Sequence, residues 1–158
     1  MTTKSPGTPP PETCEKLRQR KAQYCRSADT HDWATFTSLL HPSITAQFTS
    51  PSGEVITENG VTYSFANRDE FVSFFRDSLE TQQTIHIVGP GEFEFVSLDE
   101  KQVSAVWSVV YHAASLGVQG GWTGTGGGRY HEVWKRVGGE WVIVSLRMER
   151  GFWKVQML

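Results

Sequence analysis

The segments RYHEVWKR at 129–136 and WVIVSLRMER at 141–150 are joined by the residues VGGE. Each segment alternates bulky and polar side chains with a period of two, which is typical of a β-strand. The Gly-Gly pair between them favours a tight turn, and we therefore predict a long antiparallel hairpin. Aromatic and ionisable side chains share its faces, as expected of a curved sheet that wraps around a pocket.

The period of two also sorts the side chains of this hairpin into faces. Those predicted to share a face are Tyr130, Glu132 and Trp134 on the first strand, and Ile143, Ser145, Arg147 and Glu149 on the second. We expect Glu132 and Arg147 to form a polar pair on the pocket wall. Glu132 would be either a proton shuttle or the partner that holds Arg147.

The composition of the chain argues against several classes of protein. Its 158 residues, 38% apolar and 12% aromatic, suffice for one domain with a packed core. The formal net charge is −2 and the 15 Lys and Arg residues are scattered, so we expect no nucleic-acid partner. No apolar run approaches the roughly 20 residues that span a bilayer, and the N-terminus lacks the apolar core of a signal peptide. We therefore expect no membrane partner and a cytoplasmic location.

Residues 1–11 hold four of the seven prolines, which predicts a disordered lead-in before one domain at 12–158. The domain starts with a helix at 12–28, whose Lys and Arg residues are expected on the face opposite its apolar side chains. Cys14 and Cys25 would lie about 16 Å apart on this helix, at a rise of about 1.5 Å per residue, so they cannot bridge each other. We interpret both as small core residues.

Two more helices are predicted. One follows the capping residues 29–32 and runs to Pro42, and the other starts at a capping box of Asn67 and Glu70. Strands are predicted at 44–49, 54–64, 83–88, 92–97 and 102–114 as well as in the hairpin. This order indicates an α+β fold in which three helices pack on one face of a strongly bent, mostly antiparallel sheet and leave a cone with a mouth.

Tyr24, Asp29 and His86 are candidate catalytic residues. Five positions at about 100° per residue bring Tyr24 and Asp29 to neighbouring directions, so a phenol and a carboxylate can face one cavity. Asp29 or Asp32 could instead cap the second helix. If Asp29 holds one ring nitrogen of His86, the other nitrogen is free as an acid or base. The alternative is that His86 is not a catalyst but a strand histidine whose ring is hydrogen-bonded within the protein or exposed to solvent.

Trp107 and Tyr111 share one face of a predicted strand, where core packing alone would explain Trp107. A buried Tyr111 hydroxyl needs a partner, so Tyr111 is a candidate proton donor.

The glycine-rich segment 117–128 lacks the Gly-Lys-Ser/Thr ending of a phosphate-binding loop. It is either a flap over the pocket with Trp122 at its tip or a plain hairpin connection. The histidines form no metal-ligand pair, so we predict no metal.

These motifs together resemble a known family. They are Tyr24 and Asp29 before Asp32-Trp33, the segment TIHIVG at 84–89, and the terminal block Gly-Arg-Tyr-x-Glu-x-Trp-x-Arg. The chain, over about residues 12–153, resembles SnoaL-like proteins of the nuclear transport factor 2-like superfamily, in the branch with scytalone dehydratase and the bile-acid dehydratases. The resemblance implies a cone-shaped α+β barrel, catalysis without a cofactor, and a homodimer or homotrimer packed through the sheet.

The resemblance also assigns residues. Tyr24, Asp29 and His86 match the tyrosine, aspartate and histidine of the branch, and Arg147 matches an arginine of the bile-acid enzymes. Tyr130 stands about where scytalone dehydratase has an asparagine. The second histidine of that enzyme has no counterpart here, so scytalone is not the expected substrate.

We therefore expect an acid/base dehydratase, isomerase or cyclase that acts on a hydrophobic polyketide- or terpenoid-like secondary metabolite. His86, oriented by Asp29, would transfer the proton, and Tyr24 and Tyr111 would polarise an oxygen of the substrate. The side chains expected to contact the substrate are Trp33, Trp107, Tyr111, Tyr130 and Trp134. The alternative is a module of the same fold that binds a small molecule or itself without chemistry. Convergence of Asp29, His86 and Glu132 in one closed pocket would favour the enzyme. Solvent-facing ionisable groups, with only Trp107, Tyr130 and Trp134 lining the cavity, would favour the binding module.

Overall fold

The computed structural model of the protein describes residues 6–158. Three helices precede or interrupt the strands: α1 (Pro11–Asp29), α2 (Trp33–Ser38) and α3 (Arg68–Leu79). The strands of this part of the chain are β1 (Leu40–Thr49), β2 (Thr57–Glu58), β3 (Val61–Thr62), β4 (Ser64–Phe65), β5 (Gln82–Val88), β6 (Glu92–Phe95), β7 (Gln102–Ser115), β8 (Trp122–Val137) and β9 (Glu140–Met157).

The main sheet has the strand order β4-β1-β9-β8-β7-β5, with β6 paired to the other half of the β7 edge. Strands β1 and β9 are parallel and the other neighbours are antiparallel. The helices pack on one face of this mixed, mostly antiparallel sheet, which does not close. The predicted cone-shaped α+β fold is therefore confirmed, and the core lies between the helices and the inner face of the sheet.

Helix α1 is long because apolar side chains recur on it every three or four residues and pack against β5 and β9. The buried stripe runs through Leu17, Lys21, Tyr24 and Ala28. The expectation that every Lys and Arg of this helix faces away from the core is wrong for Lys21, which is fully buried. Its spacing from Leu17 and Tyr24 is that of a core position.

The helix caps account for the short α2 and for the start of α3. The Asp32 carboxylate accepts from Thr35 N at 3.1 Å, which caps α2. Asn67 Oδ1 accepts from Glu70 N at 3.0 Å, which forms the predicted N-cap of α3. The Glu70 carboxylate accepts from Ala66 N at 2.9 Å, one residue before the N–H that a capping box would use. Helix α2 ends before Pro42, contrary to the prediction, because the chain already pairs with β9 from Leu40 onward.

Two β-bulges in β9 change which of its side chains face the core. Pairing moves from Val133↔Ser145 to Trp134↔Ile143, and again from Gly127↔Phe152 to Gly128↔Arg150. Each bulge adds one unpaired residue to β9 and reverses the alternation beyond it. Ile143, Leu146 and Met148 are buried, whereas Arg147 faces away from the core. The predicted common face of Ile143 and Arg147 is therefore wrong.

The predicted lead-in at 1–11 lies partly outside the described residues, which begin at residue 6. Gly7 O accepts from Phe95 N at 2.9 Å, Pro9 is buried, and Pro11 already belongs to α1. The domain boundary itself stays a prediction. In the described part of the chain, no helix is long and apolar enough to cross a membrane.

Candidate active site

A cavity of about 310 Å³ lies between the inner face of the sheet and the helices. Its wall is mostly aromatic, and Tyr24, His86, Tyr111 and Tyr130 of the predicted site line it. The other aromatic residues of the wall are Phe36, Phe48, Tyr63, Phe74, Phe75, Trp122 and Trp153. The size and the lining suit a small ring system with few polar groups.

Asp29, the last residue of α1, holds His86 on β5. Its Oδ1 lies 2.6 Å from His86 Nδ1 and accepts from Thr84 Oγ1 at 2.9 Å, and its Oδ2 accepts from His86 N at 3.0 Å. Asp32, three residues later, caps α2 instead. The structure thus forms the expected contact between Asp29 and His86, and it divides the two roles between the two aspartates.

This contact fixes the chemistry that His86 can perform. A carboxylate on Nδ1 favours the tautomer with its proton on that nitrogen, so Nε2 carries the lone pair. His86 Nε2 has no hydrogen-bond partner among the described residues, and the ring lines the cavity. The imidazole can therefore accept a proton from a bound molecule and return it, while Asp29 stabilises the charged ring.

Tyr111 on β7 lies between His86 and Trp153. Its ring centroid is 5.7 Å from each of theirs, with interplanar angles of 27° and 24°. Burial raises the pKa of Tyr111 to about 12. The hydroxyl therefore stays protonated at neutral pH and can donate a hydrogen bond next to the imidazole.

The glycine-rich segment 117–128 is for the most part a strand. Only residues 116–121 connect β7 to β8, and Trp122 already belongs to β8 and lines the cavity. A Cβ at Gly126 would overlap the Tyr111 ring, and one at Gly124 would overlap Trp153. These glycines let two aromatic rings lie flat on the sheet. Of the two interpretations of this segment, a flap and a hairpin connection, the connection describes residues 116–121, whereas residues 122–128 belong to β8.

Tyr24 from α1 and Tyr130 from β8 form the floor of the cavity. Their rings meet edge to face, 6.0 Å apart at 80°. Burial raises the pKa of Tyr24 well above its usual value, and the negative charge of Glu132 adds to this effect. Burial likewise raises the pKa of Tyr130, with a further contribution from Tyr24. Both phenols are therefore hydrogen-bond donors at neutral pH.

A buried ion pair lies beneath this floor. The Lys21 ammonium is 3.9 Å from the centroid of the Tyr24 ring and 3.6 Å from that of Tyr130, and it pairs with Glu132 Oε1. Glu132 Oε2 accepts from Trp107 Nε1 at 2.8 Å and from Trp134 Nε1 at 2.9 Å. Both charged side chains are 0% exposed. The network joins α1 to β7 and β8 and fixes the two tyrosines from below.

Several residues predicted for the site lie elsewhere. Glu132 pairs with Lys21 and not with Arg147, so that expected pair is wrong. Trp107 and Trp134 are core residues that donate to Glu132, and neither lines the cavity. Trp33 stacks on His31, also outside the cavity lining.

Arg147 lies on the outer face of the sheet. Its Nη1 is 3.7 Å from Glu149 Oε1, which is also 3.1 Å from His131 Nε2. The first bulge in β9 places Arg147 there, because the alternation read from Ile143 reverses beyond it. Its distance from the cavity removes it from the site that we propose below.

Sequence reasoning missed Arg150 and Glu58, which line the cavity and form an ion pair. Tyr63 OH donates to Glu58 Oε2 at 3.3 Å. The alternation read from Ile143 places Arg150 on the opposite face, because it does not show the bulge at Val144. Glu58 had no signal, because its partner is 92 residues away along the chain.

The described residues contain no group of three His, Cys, Asp or Glu side chains placed to hold a metal ion. Cys14 and Cys25 are both buried and free. Burial raises the pKa of Cys25 to about 11, with Lys21 opposing the shift, so this thiol is not a nucleophile at neutral pH. The ionisable groups that line the cavity are His86, the tyrosines and the Glu58–Arg150 pair.

Comparison with known proteins gives a family. The model of the SnoaL-like domain matches residues 12–147. The chain is 47% identical over 145 residues to the Gibberella zeae protein named "Probable cyclase FGR4", which covers 92% of this chain and 95% of that protein. Among solved structures, the "Putative Scytalone Dehydratase" of Novosphingobium aromaticivorans has a TM-score of 0.74 at 13% identity, covering 90% of this chain and 87% of that one. The dehydrochlorinase LinA-type3 of Novosphingobium barchaimii has a TM-score of 0.71 at 12% identity, covering 92% and 90%. The two structures share the fold, and the family match shows that this chain belongs to the SnoaL-like family.

Proposed function

We propose that the protein is an acid/base enzyme of the dehydratase, isomerase or cyclase type that needs no cofactor. The observation that carries this proposal is the Asp29–His86 contact, which leaves Nε2 free at the wall of an aromatic cavity. The relative named "Probable cyclase FGR4", at 47% identity over nearly the whole chain, supports an enzyme of the lyase or isomerase type. A passive binding module would not need an oriented imidazole at this position.

In the proposed mechanism, His86 Nε2 removes a proton from a carbon next to a carbonyl group. The electron pair of the broken C–H bond moves toward the carbonyl oxygen, which accepts hydrogen bonds from Tyr111 or the floor tyrosines. In a cyclisation this carbanion equivalent attacks a second carbonyl carbon, the electron pair of that C=O bond moves to its oxygen, and the imidazolium gives its proton to this oxygen. In a dehydration the imidazolium gives its proton to a departing hydroxyl, which leaves as water. Both routes return His86 to its starting state.

The substrate in this proposal is a hydrophobic polyketide- or terpenoid-like secondary metabolite. The volume of about 310 Å³ and the aromatic wall support a compact molecule of a few rings. The Phe75 ring of α3 contacts Phe48 of β1, and the Phe74 ring contacts Phe75, so the wall is apolar on the helix side as well. Polar groups of the substrate would meet the tyrosines and His86.

The test of this function measures proton transfer directly. The bicyclic ketone 2-tetralone has acidic protons next to its carbonyl, and NMR in D2O follows their exchange. The protein should speed this exchange, and His86→Ala should reduce the protein-dependent rate by about 10²–10⁴-fold, as loss of a general base does. The matched control is His112→Ala, because His112 lies exposed on β7 and bonds only Thr125.

A folded His86→Ala variant that exchanges deuterium as fast as the wild type would contradict the proposal. Circular dichroism establishes that both variants are folded. His112→Ala should keep the wild-type rate, which separates removal of the base from removal of any histidine.

We also propose that the protein forms a homodimer or homotrimer through the outer face of the sheet. Ile87, Val110 and Phe152 form one row across β5, β7 and β9 on that face, and they are 58%, 44% and 47% exposed. Such an apolar row on a sheet supports self-association. Sedimentation equilibrium measures the mass, and a single-chain mass at all concentrations would contradict this proposal.

A further inference from the structure

The cavity wall holds one full ion pair. Of the described residues that line the cavity, Arg150 is the one Lys or Arg and Glu58 the one Asp or Glu. Glu58 Oε1 accepts from Arg150 Nη2, and its Oε2 accepts from Tyr63 OH at 3.3 Å. The hydrogen bond to Arg150 lowers the pKa of Glu58, so the carboxylate is charged at neutral pH.

This pairing leaves no free positive charge among the residues of 6–158 that line the cavity. The Asp29 carboxylate behind His86 adds a negative charge close to the same wall. Lys21, the nearest cation below the floor, is already bound to Glu132. An anionic ligand would therefore meet aromatic rings, the negative charge of Asp29 behind His86, and an Arg150 guanidinium that Glu58 already holds.

We propose that Glu58 is a specificity-determining residue, which makes the cavity select uncharged ring compounds and exclude carboxylates. The proposal rests on the proposed function in one respect, since it concerns the ligand of the same cavity. Glu58 acts by holding the guanidinium that an anionic ligand would need.

The physical basis is the cost of moving a carboxylate out of water. An anion that enters an apolar wall loses its hydration, and only a charge partner offsets this loss. An anion could reach the free N–H donors of Arg150, but Glu58 already neutralises the positive charge of that guanidinium, and the two carboxylates would repel each other. A neutral carbonyl has no such cost. It can accept from Arg150 without competing with Glu58, because a guanidinium has five N–H donors and Glu58 uses one of them.

Two probes of the same ring size test this selectivity, 2-naphthamide and 2-naphthoate. They differ mainly in the charge of the substituent. Isothermal titration calorimetry near neutral pH should show the wild type binding the amide at least about tenfold more tightly than the carboxylate, which corresponds to about 1.4 kcal/mol. Trp122 and Trp153 on the wall should report the same binding through their fluorescence.

The variant Glu58→Gln should strengthen naphthoate binding by about tenfold and change naphthamide binding little. Glu54→Gln is the matched control, because Glu54 is an exposed carboxylate four residues away in the same connection. It should change neither affinity. Adding Arg150→Met to Glu58→Gln should remove the gain for naphthoate, since the freed cation is then absent.

Two results would overturn the inference. One is a wild type that binds naphthoate as tightly as naphthamide, and the other is a Glu58→Gln variant with no gain for naphthoate. The deuterium exchange tests the proposed function independently. If that exchange depends on His86, the proposed function stands even when either of these two results is obtained. Failure of the wild type to bind either probe would overturn this inference, and the exchange measurement would then decide the proposed function separately.

Discussion

Two ion pairs lie against the same cavity, and they differ in burial. Lys21 and Glu132 lie beneath the floor with both side chains 0% exposed. Glu58 and Arg150 lie on the wall, 34% and 22% exposed. Each pair joins an N-terminal element to the C-terminal part of the sheet, so chain separation does not distinguish them.

The difference lies in what else each carboxylate contacts. Glu132 accepts from two indole N–H groups besides Lys21, and the ammonium lies between two tyrosine rings. No solvent or ligand can replace these partners without opening the core. Glu58 has one further partner, Tyr63, and water reaches it. Burial therefore makes the first pair structural, whereas exposure leaves the second pair free to respond to a ligand.

The largest effect should follow from breaking the buried pair. Lys21→Met should lower the free energy of unfolding by about 3–5 kcal/mol, because it leaves the Glu132 carboxylate in the core without its cation. Urea denaturation followed by circular dichroism measures this change.

The double variant Lys21→Met/Glu132→Gln is the control for that loss. It removes the uncompensated charge and keeps an oxygen that can accept from Trp107 or Trp134. It should be clearly more stable than Lys21→Met alone. A double variant as unstable as the single one would mean that lost packing, and not the buried charge, causes the effect.

A smaller effect should follow from breaking the exposed pair. Arg150→Met should lower the free energy of unfolding by no more than about 1 kcal/mol, because water solvates the released Glu58 carboxylate. The same denaturation experiment measures it. A loss as large as that of Lys21→Met would contradict the distinction between the two pairs.

The smallest effect concerns pH. Arg150 holds the pKa of Glu58 below its ordinary value of 4.5 in the folded protein. The charged carboxylate therefore contributes stability above that value, and this contribution is lost as the pH falls through the lowered pKa. The stability difference between the wild type and Glu58→Gln should be constant near neutral pH and shrink below 4.5. A difference that grows on acidification would contradict the assignment of the pair.

Local periodicity was enough to predict most elements of the fold. The strands β5 and β7 lie within one residue of their predicted bounds at 83–88 and 102–114. The N-cap at Asn67 was also predicted. The errors fall where tertiary pairing overrides local pattern, as in the segment before Pro42, which pairs with β9, and in the glycine-rich part of β8, which accommodates two aromatic rings.

The residues of the candidate site also fall into those that the sequence placed at the cavity and those that it did not. The positions of Tyr24, His86, Tyr111 and Tyr130 at the cavity, and of Asp29 behind His86, agree with the sequence-based expectations, although their catalytic roles stay a prediction. The other predicted residues do not line the cavity: Trp33, Trp107, Trp134, Glu132 and Arg147. The residues that the sequence did not reveal are Lys21, Glu58 and Arg150.

Spacing within single elements was enough to predict the helix that presents Tyr24 and Asp29 and the strand that presents His86, and the order of the elements indicated the α+β class. That Lys21 reaches Glu132, and that Arg150 rather than Arg147 reaches the cavity, follows from packing between elements. Lys21 and Glu132 meet because packing brings α1 and β8 together across 111 residues of sequence. For the two arginines the physical reason is the register of β9. One unpaired residue in a strand moves every later side chain to the opposite face, and the pattern of neighbouring residues does not record where such a bulge occurs.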